Sequence, residues 1–323
     1  MFSRVSTRAR LLFEGLTVLV AIVLLLRYWP GVRPDVGVDL EVIAHRGVHP
    51  IIDGRGVDRY TCTARVYRVE HPYIENTLPS IAAAFRAGAT MVEIDIHDTS
   101  DGHIVVFHDS SVDCKTNGKG VTREQSLAYL KSLDVGYGYT ADGGKTFPLR
   151  GTGIGAMPTL EEVLDDFPDG KFLLDHKSGR IETVRVLANE LRRYPAERLR
   201  KLYYWGVRYD ELKSLVPSLG GHFLAREGIK TCAIDHGMTL GLLDLPRSCA
   251  GKHVMLPEWA LDYVWGFPDR FMESAIAAGT RVFVTEIDTI VDATTAIGLP
   301  IHGVMTDRIE VVGPHIRQTR MKP

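Results

Sequence analysis

The sequence predicts an α/β fold: a single closed (β/α)8 barrel, with loop insertions on one rim and an apolar N-terminal anchor ahead of it. Two observations carry this. From Leu40 onward nine short apolar runs alternate with stretches of helical spacing, which implies parallel β-α units. Polar residues also collect at the ends of several of those runs, where barrels build their sites. A doubly wound open sheet is the alternative, because the choice turns on a strand count. The 323 residues are 45% apolar, enough for a core, and 38 basic against 40 acidic side chains leave a net charge of −2. Disorder, collagen and coiled coil are excluded. A general nucleic-acid binder is too, since no basic stripe appears.

Residues 1–30 read as a signal-anchor or transmembrane segment. Arg4, Arg8 and Arg10 precede an apolar stretch over 11–26, interrupted by Glu14, and Tyr28 and Trp29 follow where a membrane interface would suit them. No small-x-small cleavage site follows the run. The basic flank predicts an inside N-terminus, a membrane partner and a barrel on the exported (periplasmic or extracellular) side, or secretion if the segment is cleaved. Residues 31–39, with Pro34 and two glycines, form a linker, and 40–323 form the barrel.

The expected strands are 41–44, 91–96, 104–107, 172–174, 202–205, 222–224, 253–256, 281–284 and 302–305. Leu78, Ile81, Ala82, Phe85 and Ala89 keep helical spacing, and Thr159 with Glu162 makes a capping box. Two stretches exceed ordinary connections. Residues 48–74 include a strand-like run at 60–69, and residues 136–158 hold seven glycines with Lys145 and Arg150, read as a flexible loop, with anion binding by the two basic residues as the alternative.

The chemistry lies where strands end. The first strand runs into His45-Arg46-Gly47, and Glu93 and Asp95 sit at i and i+2, on one face of the second. Residues 104–107 run into His108-Asp109, and 172–174 run into Asp175-His176-Lys177. Carboxylates converging at one rim repel unless a cation joins them, and oxygen-only ligation favours one divalent ion, Ca2+ or Mg2+. Two histidines beside such an ion suit a general acid and a general base. Arg46 and Lys177 suit an anionic small molecule such as a phosphodiester. His97 shares the face of Glu93 and Asp95 but falls past the expected strand end. His176 points away from Asp175 and reads as packing.

Together Ala44-His45-Arg46-Gly47, Glu75-Asn76-Thr77, Val92-Glu93-Ile94-Asp95, Asp101-Gly102, Val106-Phe107-His108-Asp109 and Gly303-Val304-Met305-Thr306-Asp307 resemble the glycerophosphodiester phosphodiesterase family. The resemblance implies a TIM barrel, a divalent cation and hydrolysis of glycerophosphodiesters to sn-glycerol 3-phosphate and an alcohol. It implies catalytic roles for His45 and His108, metal ligation by Glu93, Asp95 and Asp175, and phosphate contacts by Arg46 and Lys177. Three departures stand out. Asp175 occupies a position where the family more often has Glu. Thr285-Glu286 stands where it has Trp-Thr, which leaves Trp265 as a substitute aromatic wall. The 48–74 insertion is longer than in compact members. Hydrolysis of lysophospholipids, a silent anion-binding module and a phosphatidylinositol lyase are the competing readings; the lyase lacks the Glu-x-Asp pattern.

No C-x-x-C occurs among Cys62, Cys114, Cys232 and Cys249, so a zinc site has little support. Export permits disulfides. Cys62 and Cys114 lie on segments emerging at one rim, and Cys232 and Cys249 bracket one loop region, so the expected pairs are Cys62–Cys114 and Cys232–Cys249.

Overall fold

The computed structural model describes residues 7–28, 31–52 and 66–320. Its strands are β1 (Glu41–His45), β2 (Met91–Asp98), β3 (Ile104–Val106), β4 (Phe172–His176), β5 (Leu202–Trp205), β6 (His222–Phe223), β7 (His253–Pro257), β8 (Arg281–Thr285) and β9 (Gly303–Thr306). They form one sheet in the order β1-β9-β8-β7-β6-β5-β4-β2-β3, and β1 also pairs with β2. That additional pairing closes eight parallel strands into a barrel, and the open-sheet alternative falls away.

The expected strand at 104–107 exists but is not a barrel stave. β3 runs antiparallel to β2, with Ile96 opposite Val106. Only residues 99–103 join the two strands, and a parallel crossover needs about a dozen residues. Asp101-Gly102 forms the turn, with Gly102 in the left-handed region at φ 83°.

Inward and outward side chains alternate along each stave, as a pleated strand requires. Val42, Val92, Ile94, Phe172, Leu174, Val254, Val282 and Val304 face the helices as part of the main core. Ile43, Met91, Leu173, Phe223, Met255, Phe283 and Met305 fill the barrel interior. The helix Leu78–Ala87 ends at Gly88, whose φ of 112° supplies the left-handed cap. The expected capping box opens the helix Leu160–Asp166: Thr159 accepts from Glu162 N, and Glu162 accepts from Thr159 N.

The stretch that follows β3 is packed rather than loose. Val105, Phe107, Val112, Leu130, Leu133, Val135, Tyr139, Leu149 and Met157 form a satellite core. Asp134 accepts from the backbone N–H groups of Gly136, Gly151 and Gly153 at 2.6–3.1 Å. Glycine is required there, because a Cβ on Gly153 would lie 2.5 Å from Gly136 N. Arg150 stacks between Tyr137 and Phe147, with its guanidinium carbon 3.9 and 3.6 Å from the ring centroids. The flexible loop expected over 136–158 is therefore corrected to an ordered cover.

The membrane anchor expected over residues 1–30 is not supported: among the described residues no helix is long and apolar enough to cross a membrane. A helix does form, Thr7–Tyr28. Its uninterrupted apolar run, residues 15–26, rises only about 18 Å as α-helix, short of a hydrocarbon core about 30 Å thick. The strand-like run at 60–69 lies mostly outside the described residues; Val66 forms an antiparallel bridge with Ile52.

Cys232 and Cys249 are bonded, with Cα atoms 5.1 Å apart. Cys114 is also disulfide-bonded; the expected pair Cys62–Cys114 involves Cys62, outside the described residues. The Cys232–Cys249 bridge ties the helix Arg226–Met238 to the segment entering β7 across a sequence separation of 17. Closing a loop of that size stabilises by about 3 kcal/mol in the chain-entropy model. The double variant Cys232→Ser/Cys249→Ser should lose about that much in denaturant unfolding; an unchanged midpoint and slope would contradict the bridge's role.

Candidate active site

The inward columns that fill the barrel floor with apolar groups carry charge at its C-terminal mouth. Ile43 is followed two residues on by His45, Met91 by Glu93 and Asp95, Leu173 by Asp175 and Met305 by Asp307. Register then sets the neighbours: His45 lies opposite Glu93, and Asp95 opposite Asp175. One oxygen from each of Glu93, Asp95 and Asp175 falls within 4.8 Å of the others. The structure thus brings the expected carboxylate trio together.

Lys177 spans two of the three, its Nζ 2.8 Å from Asp95 Oδ1 and 2.5 Å from Asp175 Oδ2. Arg46 Nε lies 3.3 Å from Asp95 Oδ2. Arg46 is held at φ 57°, and its N–H donates to Glu93 Oε2 at 3.1 Å. The following Gly47, at φ 82°, lets the turn press on Ser80: a Cβ there would lie 2.2 Å from Ser80 Oγ. Strain of this kind persists where surroundings over-determine it, here to aim the guanidinium at the carboxylates.

Unequal surroundings separate the three acids. Burial pushes Glu93 well up, and repulsion from Asp95 and Asp175 adds to it. Burial likewise raises Asp175, against the pull of Lys177. Asp95 is buried too, but Lys177 and Arg46 hold it well below the usual range. Glu93 is fully buried, and among the described residues its Oε1 has no hydrogen-bond partner. An all-oxygen trio with an orphaned buried oxygen and mutual repulsion is a group that could hold a hard divalent cation.

Two imidazoles flank the trio. His45 Nδ1 lies 2.5 Å from Asp307 Oδ1, and its Nε2 lies 3.8 Å from Glu93 Oε2. His108 Nδ1 lies 2.6 Å from Asp109 Oδ1. His108 reaches the mouth because β3 folds back on β2, with Phe107 N donating to Asp95 O at 2.9 Å. Burial, with Arg46 beside it, lowers His108 to about 4. Both histidines therefore place Nδ1 on a carboxylate; His45 Nε2 accepts from Arg46 Nε at 3.2 Å, and His108 keeps Nε2 as an acceptor for other work.

Several site residues had no role in the sequence reading. Glu75 is buried and takes Arg46 Nη1 at 3.3 Å and also Lys115 Nζ. Burial opposes its ionisation, yet Lys115 and Arg46 hold it well below the usual range. Asn76 donates to Asp95 Oδ2 at 2.7 Å and accepts from Asp95 N at 3.2 Å. Asp307 and His49 join His45 in a second group, with one ligand atom each within 4.8 Å. Glu75, Asn76, Asp109 and Asp307 stood inside quoted motifs; Lys115 and His49 carried no signal. His97 lies within β2 and meets the His108 carbonyl at 3.2 Å. His176 packs on Tyr204, its Nδ1 2.5 Å from the hydroxyl. Trp265 does not replace the aromatic wall. It lines a pocket on the helix side of β7 with Val254, Leu256 and Phe271.

Residues 65–216 match the model of the Glycerophosphoryl diester phosphodiesterase family. A glycerophosphodiester phosphodiesterase from Caldanaerobacter subterraneus subsp. tengcongensis is 39% identical over 107 residues, 32% of this chain and 40% of that protein. One from Bacillus subtilis is 37% identical over 109 residues, 34% of this chain and 35% of that protein. These matches span only about two fifths of the relatives' length. The fold is that of an Oleispira antarctica phosphodiesterase solved with the product sn-glycerol-3-phosphate. The TM-score is 0.58 at 23% identity, covering 86% of this chain and 96% of that one.

Asn76 itself sits at φ 59°, a conformation asparagine tolerates and alanine does not. Asn76→Ala should cost about 2 kcal/mol or more, from left-handed strain and the unmet Asp95 bonds. Asn76→Gly should cost less, since only the side-chain bonds are lost. Chemical denaturation of both checks this, and equal losses would assign the whole cost to the side chain.

Proposed function

We propose, from its similarity to glycerophosphodiester phosphodiesterases, that the chain is a phosphoric diester hydrolase. Its substrates would be glycerophosphodiesters, cleaved to sn-glycerol 3-phosphate and an alcohol with one divalent cation, Ca2+ or Mg2+, as cofactor. The observation that carries this is the convergence of Glu93, Asp95 and Asp175 within 4.8 Å, between two carboxylate-bound imidazoles. The residues fit the ion, because Glu93 Oε1 is buried without a hydrogen-bond partner among the described residues. Bound by the trio, the ion would polarise a phosphoryl oxygen and offset the charge that develops in the transition state.

The chain's own groups divide the remaining work. Arg46 and Lys177, both within reach of the trio, bind the diester's anionic oxygens; the planar guanidinium suits two of them at once. His108 is neutral at pH 7 and holds its Nδ1 proton on Asp109, so Nε2 receives the proton of the attacking hydroxyl. That hydroxyl belongs to water or to the substrate's own glycerol. As the bond from phosphorus to the leaving oxygen breaks, His45, entering the step as imidazolium once Arg46 Nε turns from its Nε2 to the diester, gives the Nε2 proton to the alcohol, and the proton taken up by His108 balances it. Asp307 holds the opposite side of its ring.

Hydrolysis of glycerophosphocholine should occur, stop with EDTA and return with added Ca2+ or Mg2+. His108→Ala should lose about 100-fold or more in turnover, the low end for positioned proton transfer. Lysophosphatidylcholine as a parallel substrate separates the lysophospholipase reading. Activity undiminished by EDTA would overturn the cofactor, and near-normal His108→Ala turnover would overturn the base.

We also place the barrel on the exported side. The Cys232–Cys249 bridge supports this, because disulfides persist in oxidising compartments. Alkylation of protein taken from its native cells should leave both cysteines unlabelled; free thiols would refute it.

A further inference from the structure

One buried lysine beside the site has no part in the steps assigned to His45 and His108. Lys115 lies seven residues past His108, on the cover that follows β3, and only 4% of its side chain is exposed. Its Nζ lies 3.2 Å from Asp109 Oδ1, the same oxygen that holds His108 Nδ1 at 2.6 Å. It also contacts Glu75 Oε1, the oxygen that takes Arg46 Nη1 at 3.3 Å. Asp109 is accordingly held below its usual range: burial opposes ionisation, but Lys115 and His108 prevail.

We propose that Lys115 is a positioning residue for the acid-base step, fixing Asp109 on His108 and joining that pair through Glu75 to Arg46. The physical case rests on geometry and desolvation. Two buried carboxylates, Glu75 and Asp109, face one ammonium, and removing it would leave both without that counter-charge in a poorly solvated pocket. Asp109 would then share its oxygen less firmly with the imidazole, and the Nδ1–H tautomer would lose its lock. The backbone holds the lysine in place. Thr116 Oγ1 donates to Val112 O at 2.7 Å and accepts from Gly118 N at 2.9 Å, and the neighbouring Cys114 is disulfide-bonded. Lys115 touches none of the acidic trio among the contacts seen here, so it acts through Asp109 and Glu75.

The proposal rests on the phosphodiesterase reading only for what His108 does with its proton. Its test therefore has one readout free of activity. In the full chain, 15N chemical shifts of the His108 imidazole should report Nδ1 protonated and Nε2 bare; Lys115→Met should mix the two tautomers. On glycerophosphocholine, Lys115→Met should lower kcat by about 10-fold or more while KM stays within about twofold. The double variant Lys115→Met/Asp109→Asn should be no slower than Asp109→Asn alone, because the two act as one unit. A folded Lys115→Met with an unchanged tautomer, or losses that multiply in the double variant, would overturn the proposal. Lys115→Gln fits the same space and must give the same result if the Met variant does not fold. A tautomer shift in Lys115→Met, alongside a wild-type chain that shows no hydrolysis, would sink the functional reading and leave the positioning role standing.

Discussion

Everything at the mouth depends on the period of two along parallel strands. A pleated strand has one inward column, and in this barrel each column must both fill the floor and furnish the mouth. β1 does so with Ile43 and His45, β2 with Met91, Glu93 and Asp95, and β4 with Leu173 and Asp175. A slip of one residue in any of these strands would turn its charged group toward the helices and its outward valine or leucine into the mouth. The floor favours this register, because Phe223, Phe283 and the three interior methionines pack there with Ile43 and Leu173 at full or near-full burial.

That arrangement creates an electrostatic problem, and the surrounding residues answer it. Glu75, Glu93, Asp95, Asp109, Asp175 and Asp307 crowd one rim; Arg46, Lys115 and Lys177 pair with Glu75, Asp95, Asp109 and Asp175, and histidines meet Glu93 and Asp307. The shortfall falls mainly on Glu93, which among the described residues meets only His45, at 3.8 Å, within salt-bridge reach. Its protonation is favoured by burial and by its neighbours, and a divalent ion would reverse that preference under the proposed function. Arg46 contacts Asp95, Glu75 and His45 from a single left-handed turn. This explains why that strained backbone sits at the end of β1 rather than in a loop of less consequence.

The barrel and the trio were legible in the sequence because both follow from local pattern. Alternating runs announce staves, and Glu93 and Asp95 at i and i+2 must share a face whatever the rest of the chain does. Direction was less legible. The run at 104–107 looked like another stave, although the short connection through Asp101-Gly102 already demanded a hairpin. Groups that meet only through tertiary structure were not legible at all. Nothing near Lys115 in sequence foretells Glu75, forty residues away, and Asp307 finds His45 across 262 residues. The glycines of 136–158 misled for a related reason: they serve close backbone approach around Asp134, which resembles flexibility until the partner is known.

The separation between His45 and Asp307 also explains why closure matters chemically as well as mechanically. In an open sheet β1 and β9 would be free to lie apart, and His45 would keep its place beside Glu93 through β2 alone. Pairing Ala44 with Thr306 brings the first and last strands together and carries the next residue of each, His45 and Asp307, into contact. Asp288 then fixes the acceptor, taking Asp307 N at 2.7 Å and Thr306 Oγ1 at 3.0 Å. His108 receives its own acceptor by a different route, from the adjacent Asp109, steadied by Lys115 on the cover. One imidazole is thus oriented by the barrel's closure and the other by its insertion. The two therefore reach the carboxylate trio from independent parts of the chain. A disturbance of the cover would loosen the His108 side and leave the His45 side in register.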